Sequence, residues 1–352
     1  MLEPNFSSRQ VSQAEPSPTP PARRSSRHLR TATLLIGDLD SLPLIDWKQR
    51  LDKHGFFFQK KVQLVVERTL GKTAESEVPA RAEPAEPSNE TLIDFRLRVD
   101  GAHSPSFELV FECKKTYEKE WLFLIEKRNP DKFRSISLRQ VIEPVPDAGG
   151  NLSSFYEFSA DSLKLGTDHT HEICEYGFEA ERAKDTADTK PVRDFARQVS
   201  IGLYQSLKEA RALAASIEEV FRGSKSETHM AVLPLVVTNR PPLLGRYDAD
   251  KVDMSSGQVN MDGFTMQKRD WLVYRYHALQ DVVFMEFPES MVGTEGMDES
   301  EMARYHASLV RKASNIDMFV VAAPSLPDFL PKLTAAISGE TSSIAEGSTS
   351  QQ

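Results

Sequence analysis

The chain has 352 residues, of which 39% are hydrophobic, and a formal net charge of -9. A chain of this length can bury a core without disulfides, and its two cysteines, Cys113 and Cys174, do not form the Cys-x-x-Cys pair that indicates structural zinc. The acidic total excludes a broadly basic surface, so any nucleic-acid contact has to come from a local patch. Because no apolar run of about 18 residues and no signal-peptide pattern is present, we expect a cytoplasmic protein without a membrane span.

Both ends of the chain are poor in apolar residues. Residues 1–31 are rich in Ser, Pro and Arg, and residues 339–352 are rich in Ser, Thr and Gly. Such compositions do not bury enough apolar surface to offset the entropy of ordering, so we predict two disordered tails around a domain spanning 32–338. Five arginines against two glutamates give residues 1–30 a charge of +3. A basic tail of this kind is more often a solubilising segment than a DNA-contacting arm, which is the alternative interpretation.

The first part of the domain predicts a short helix followed by strands. Apolar residues at helical spacing between Pro43 and Gly55 predict a helix over 42–54. Residues 56–68 are aromatic and β-branched, which predicts a strand, and the Pro/Ala/Glu-rich stretch 71–90 reads as a loop. Residues 91–99 and 107–115 alternate between apolar and polar side chains, as two more strands do.

The rest of the domain predicts a mixed α/β layer rather than a repeat. The longest helix is predicted over 191–222, between Pro191 and Gly223. The continuous apolar run 230–238 predicts a strand buried on both faces. Residues 144–190 read as an insertion. Further strands are predicted at 121–126, 271–276, 282–287 and 318–322, and a closing helix at 326–337.

Strands 91–99 and 107–115 carry the candidate chemistry. The turn between them contains Gly, Ser and Pro, and a turn centred on His103 places Asp94 opposite Glu112, with Lys114 on the same face. Opposed carboxylates repel unless a cation lies between them, and a divalent metal would supply that charge. A metal, two acids and an amine suit phosphodiester hydrolysis. A solvated ion pair on a hairpin is the alternative interpretation of these residues.

The order of motifs adds a resemblance to a known family. Trp47-x-x-x-Leu51-x-x-x-Gly55-Phe56, then Ile93-Asp94-Phe95, Phe111-Glu112-Cys113-Lys114-Lys115 and a Trp121-led strand, resembles the PD-(D/E)xK superfamily of restriction-endonuclease-like nucleases. The likeness spans about residues 42–335 and includes a helix with Gln198 before a strand ending in Asn239. Ile93 stands where the name-giving proline precedes the family's aspartate.

The resemblance implies a fold and a set of roles. It implies a restriction-endonuclease-like core, a mixed β-sheet flanked by helices, which binds Mg²⁺ or Mn²⁺ through Asp94, Glu112 and the Cys113 backbone carbonyl. Lys114 matches the catalytic lysine. The implied function is a metal-dependent nuclease acting on DNA in defence or repair, as a homodimer or with a partner protein. The alternative is a nucleic-acid- or protein-binding module that keeps this core without turnover.

Several further residues are weaker candidates. The resemblance allows an extra acid on the first helix, for which Asp46 is available, or Glu67 if residues 56–68 are helical. Gln198 is a candidate for orienting water or phosphate near the metal, and Lys115, Arg96 and Arg98 for phosphate contacts. An early-turn acid, a polar helix flank and ordinary hairpin charges are the competing interpretations. His169, His171 and Cys174 form a minor candidate for a transition-metal cluster.

Overall fold

The structure is a computed structural model and describes residues 50–52, 55–81, 90–99, 106–127, 135–145, 150–159, 173–181, 187–220, 230–277, 300 and 315–348. The chain divides into two units, Met1–Trp47 and Lys48–Gln352, and every described residue belongs to the second. The predicted tail 1–31 and the predicted strand 282–287 lie outside the described residues. Of the predicted helix 42–54, residues 50–52 are described, and they are helical.

The described elements alternate between strands and three longer helices. The helices are α1 (Phe56–Leu70), α2 (Lys190–Val220) and α3 (Leu326–Ser348). The strands before α2 are β1 (Glu75–Arg81), β2 (Glu90–Val99), β3 (Ser106–Lys114), β4 (Lys119–Glu126), β5 (Ser135–Val145), β6 (Gly150–Ser159), β7 (Ile173–Cys174), β8 (Tyr176–Glu181) and β9 (Ala187–Asp188). The strands after it are β10 (Met230–Thr238), β11 (Leu243–Tyr247), β12 (Phe264–Lys268), β13 (Trp271–His277) and β14 (Asn315–Ala322).

The prediction of a strand over 56–68 is wrong, because these residues form helix α1. Its buried side chains, Val62 and Val66, are one helical turn apart, and Gly55 and Gly71 flank the helix with φ of 75° and 65°. Glycine adopts this left-handed backbone without a steric penalty from Cβ, so a helix can begin or end there at little cost in free energy. The aromatic and β-branched content suggested a strand, but tertiary packing against one apolar stripe overrides that preference.

The prediction of a loop over 71–90 is also wrong in part, because strand β1 lies within it. Val78 and Ala80 of β1 are buried, although the segment contains Pro79. In the sheet order β1 is a terminal strand, and an edge strand tolerates a proline because half of its N–H groups have no strand partner. The Pro/Ala/Glu composition therefore hid a short strand.

The larger sheet is mixed and has nine strands. Its order is β1-β2-β3-β10-β14-β13-β7, and the β5–β6 hairpin also pairs with β10. Strand β10 is parallel to β3 along its whole length, and its other edge is covered by β14 and β5. Having partners on both edges and helices on both faces, β10 is buried throughout its described side chains, as its apolar run predicted.

A second sheet of five strands has the order β12-β11-β4-β8-β9. Strand β4 lies at the predicted position and follows β3 directly in the chain, as β11 follows β10. The neighbouring parallel strands β3 and β10 of the larger sheet thus lead into the neighbouring parallel strands β4 and β11 of the smaller sheet. The stretch 144–190, predicted as an insertion, supplies β7 to the larger sheet and β8 to the smaller one. It therefore completes both sheets.

Helices cover both faces of the larger sheet. The long helix α2 confirms its prediction, and its buried stripe includes Val192, Phe195, Val199, Leu203 and Leu207. Phe195 stacks on Trp121 of the smaller sheet, with ring centroids 4.5 Å apart. On the opposite face α1 and α3 enclose a second core, in which Phe95 stacks on Phe111. The chain is thus a layered mixed α/β structure.

Among the described residues, none of the helices is long and apolar enough to cross a membrane. Helix α3 starts at the predicted position but extends to Ser348, past residue 339, where the disordered tail was predicted to begin. A helix nucleated by the packed residues 326–337 can propagate at small cost per residue, which composition alone does not reveal.

Replacing Phe195 by Ala tests the contact between the long helix and the smaller sheet. The side chain is fully buried against Trp121, so the substitution should lower the free energy of unfolding by about 3–5 kcal/mol. Urea denaturation measures this loss, and Asp194→Ala, on the exposed side of the same turn, is the control. A loss below about 1 kcal/mol would contradict the described packing.

Candidate active site

Strands β2 and β3 form the predicted hairpin, in the predicted register. Phe95 pairs with Phe111 and Val99 with Phe107, so continuation of the ladder brings Asp94 level with Glu112. The face assignment of β3 is also confirmed. Phe107, Leu109 and Phe111 lie in the core beneath α1 and α3, and Val110 lies in the core beneath α2. Glu112 therefore lies on the α2 side of a central strand.

Asp94 sits at an irregularity in β2. Ile93 packs beneath α2 whereas Phe95 packs in the opposite core, so the alternation predicted for residues 91–99 is wrong at Asp94. Its Oδ2 accepts a hydrogen bond from the Cys113 backbone N–H at 2.6 Å, and Gln59 of α1 donates to its carbonyl oxygen at 3.1 Å. A side-chain carboxylate thus replaces a backbone acceptor at the end of the β2–β3 ladder.

Among the described acids of the predicted set, Glu112 is the most deeply buried. The residue is 3% exposed, and its Oε1 lies 2.6 Å from the Lys114 Nζ. Within the described part of the chain, its Oε2 has no hydrogen-bond partner. Leaving a buried carboxylate oxygen unmatched is costly, and such an atom often marks a ligand site.

Burial also sets the protonation of the two acids. Loss of solvent raises the pKa of Glu112 to about 7, although the Lys114 ammonium opposes the shift and the charge of Asp94 adds to it. Burial likewise raises the pKa of Asp94, against the Cys113 amide and Lys114, and the charge of Glu77 adds slightly to the rise. The two carboxyls and the ammonium therefore form one electrostatic unit.

Lys114 is held between the hairpin and the long helix. Besides Glu112, its ammonium contacts Gln198 of α2, donating to Oε1 at 2.8 Å. Gln198, a candidate from the sequence, is thus brought to the site, where it positions the amine and does not contact either acid in the described structure. A fixed lysine beside two carboxylates is pre-organised for binding an anionic group.

Other candidates lie elsewhere. Lys115 points to the other side, donating to the Asp52 carbonyl at 3.1 Å and lying over the Tyr117 ring. Arg96 was a candidate for phosphate contact. Its guanidinium instead forms ion pairs with Glu75 and Glu209.

The described members of the acidic and metal-binding alternatives do not join the site either. Glu67, on α1, accepts hydrogen bonds from Gln63 and from the Ala74 amide, which anchors the start of β1. Asp46, His169 and His171 lie outside the described residues. Cys174 is fully buried in the core beneath α2. For the other cysteine, Cys113, burial raises the pKa of the thiol well above the ordinary value.

Sequence reasoning missed two supporting side chains. Gln59 was assigned to a strand, and only the helical turn of α1 directs it to Asp94. Asn239 follows β10, and its amide group bonds the backbone N–H and the carbonyl of Thr116. This clamp ties the segment after Lys114 to the neighbouring strand. Its sequence signal was an asparagine directly after a buried strand.

The residues present fit a divalent cation in part. Two carboxylates approach from adjacent strands, one of them with an unmatched buried oxygen, and a cation would offset their mutual repulsion. Among the described residues, no group of three or more His, Cys, Asp or Glu side chains is already gathered around a common metal position. Mg²⁺ usually binds one or two carboxylates and completes its shell with water, so the pair is sufficient in ligand type.

Replacing Glu112 by Gln, which mimics the protonated acid, tests the effect of burial. The folded-state pKa of Glu112, about 7, exceeds the ordinary 4.5. The contribution of this carboxyl to the free energy of unfolding is therefore fully present below about pH 4.5 and is lost as the pH rises through about 7. Without divalent metal, the free energy of unfolding of the variant should exceed that of the wild type increasingly with pH, approaching roughly 3 kcal/mol. Urea titrations between about pH 5 and pH 8 measure this difference. Glu118→Gln, at an exposed position, should show no such trend.

Comparison of the chain with known proteins finds no relative. No protein-family model matches the sequence, and neither a curated protein nor a solved structure is significantly similar to the chain. The chemical interpretation of Asp94, Glu112 and Lys114 therefore stands on their geometry and on the resemblance in motif order.

Proposed function

We propose that the chain is a metal-dependent nuclease that hydrolyses phosphodiester bonds in DNA and is built on a restriction-endonuclease-like core. One observation carries the proposal. A buried glutamate with an unmatched oxygen lies beside an aspartate on the next strand and a lysine held in place by a helix. An ion pair between Lys114 and Glu112 alone does not account for the second carboxylate oxygen, which is buried without a hydrogen-bond partner in the described structure.

The arrangement of elements supports the proposed core. The resemblance implies a mixed sheet flanked by helices, in which two strands carry the acids and the lysine and a helix followed by a further strand comes later in the chain. Here β2 and β3 form the hairpin, β10 lies parallel to β3, and α2 lies across the face that carries Lys114. Fold alone implies no activity, so the argument for hydrolysis rests on the site.

Each residue has a distinct proposed role. Asp94 and Glu112 would hold Mg²⁺ or Mn²⁺, together with the Cys113 carbonyl that the resemblance adds. The bound ion would lower the pKa of a water molecule and offset charge on the phosphate. Lys114 would orient the attacking water or stabilise charge developing on the phosphate oxygens, and Gln198 holds the Lys114 ammonium in position.

Loss of cleavage in site variants tests the proposal. Asp94→Asn, Glu112→Gln and Lys114→Met should each reduce Mn²⁺-dependent cleavage of plasmid and linear DNA by at least about 100-fold. Lys119→Met, at an exposed lysine paired with Glu179, is the matched control and should cleave like the wild type. Full activity in Lys114→Met, or wild-type cleavage that persists in EDTA, would contradict the proposal.

Gln198→Ala tests the positioning of the lysine. Losing the amide frees the Lys114 ammonium to move while both acids stay in place, so the single-turnover rate constant of cleavage should fall by about 10-fold, with Mn²⁺ affinity almost unchanged. Single-turnover cleavage and calorimetric Mn²⁺ titration separate the two effects. The conservative Gln198→Glu should retain the contact to Lys114 and recover part of the rate.

A second candidate function is a binding module without turnover. The specific observation in its favour is the Lys114–Glu112 contact at 2.6 Å, an ion pair that satisfies one carboxylate oxygen without metal. This alternative predicts that neither Mg²⁺ nor Mn²⁺ binds in a manner dependent on Asp94 and Glu112, whether the ligand is DNA, a protein partner or a second copy of the chain.

A further inference from the structure

Glu77 lies opposite Asp94 on the strand that was missed in the sequence. In the antiparallel pairing of β1 with β2, Ser76 faces Phe95 and Val78 faces Ile93, so Glu77 stands between them at the level of Asp94. Directly opposed residues in antiparallel strands have Cα atoms roughly 4.5–5.5 Å apart. On the other edge of β2, Asp94 is level with Glu112. Three acidic residues thus form one row at the same level on three adjacent strands, and in the described structure their side chains are not gathered around a common metal position.

The backbone at Glu77 is strained. Of the described residues, it is the one non-glycine with a positive φ, at 52°. A side chain in this left-handed region is disfavoured, and glycine takes the same conformation without penalty. Packing does not account for glutamate here, because the side chain is exposed, unlike its neighbour Val78.

A second observation in the same row points to a ligand. Glu112 is 3% exposed, and its Oε2 has no hydrogen-bond partner within the described residues. Like charges opposed across strands destabilise a sheet, and Lys114 is the single cation described in contact with an acid of this row. The row therefore has an excess of negative charge and a buried oxygen without a partner, which a divalent cation would match.

We propose that Glu77 contributes the third carboxylate to the divalent-cation site, binding the ion directly or through one of its waters. This inference rests on the proposed metal-dependent function and names a ligand beyond Asp94 and Glu112. The three acids differ in mobility. Glu112 is enclosed and Asp94 is fixed by the Cys113 amide, whereas the exposed Glu77 has room to move toward an arriving ion.

Calorimetric titration of the full chain with Mn²⁺, in the absence of DNA, tests this inference. Glu77→Gln keeps the size of the side chain and removes the charge, and should weaken Mn²⁺ binding by about 10-fold or more. Glu118→Gln, which removes an exposed glutamate from the segment after β3, is the control for surface charge and should bind like the wild type.

Glu77→Gly adds a readout that a merely structural residue would not give. Because glycine relieves the strain, this variant should melt about 1–3 °C above the wild type when metal is absent. In excess Mn²⁺ the order should reverse, since the variant gains less stabilisation from the ion. Thermal denaturation with and without Mn²⁺ measures both values.

The outcomes separate this inference from the proposed function. If the wild type binds Mn²⁺ through Asp94 and Glu112, and both Glu77 variants bind it equally well, the third-ligand inference is overturned and the nuclease proposal stands. If Glu112→Gln and the wild type both fail to bind Mn²⁺, the metal-dependent function and this inference fall together. Weaker binding in both Glu77 variants with an unchanged control supports the inference.

Discussion

The burial of one carboxylate, that of Glu112, is the constraint around which the site is organised. Removing a carboxylate from water is unfavourable unless charge or hydrogen bonds compensate it, and here Lys114 compensates only one oxygen. The carboxyl responds with a pKa raised to about 7, which makes it sensitive to protons and to cations near neutral pH. A fully hydrated glutamate at this position would have neither property.

The surrounding architecture fixes this carboxylate where it is. Strand β3 lies between β2 and β10, so its backbone is held on both edges, and α2 covers the face on which the acid lies. The Asn239 clamp then fixes the segment after Lys114, at the point where β3 and β10 continue into the smaller sheet. The side chains of the site are therefore held rigidly, because each one is carried by a paired strand or a packed helix.

The sequence predicted the hairpin, the long helix and the buried strand because each has a periodic local signal. The alternation in residues 91–99 and 107–115 indicated the two strands, and the turn centred on His103 set the register that levels Asp94 with Glu112. Local pattern was not enough for α1, where aromatic and β-branched residues hid a helix, or for β1, where Pro79 hid an edge strand. Consequently Gln59 and Glu77, which depend on those two elements, had no place in the predicted site. Their positions follow from long-range pairing, which no local pattern encodes.

The break in alternation at Asp94 links the local shape of strand β2 to the position of the acids on the three neighbouring strands. A regular β2 would place Ile93 and Phe95 in the same core, yet they enter opposite cores, and the strained Glu77 stands across from this irregularity. Distortions of this kind re-aim a side chain at a local cost in stability. Here the distortion frees the Asp94 carboxylate to bond the Cys113 amide, which holds one acid against the strand that carries the other. The cost to the fold and the convergence of the acids thus have the same structural origin.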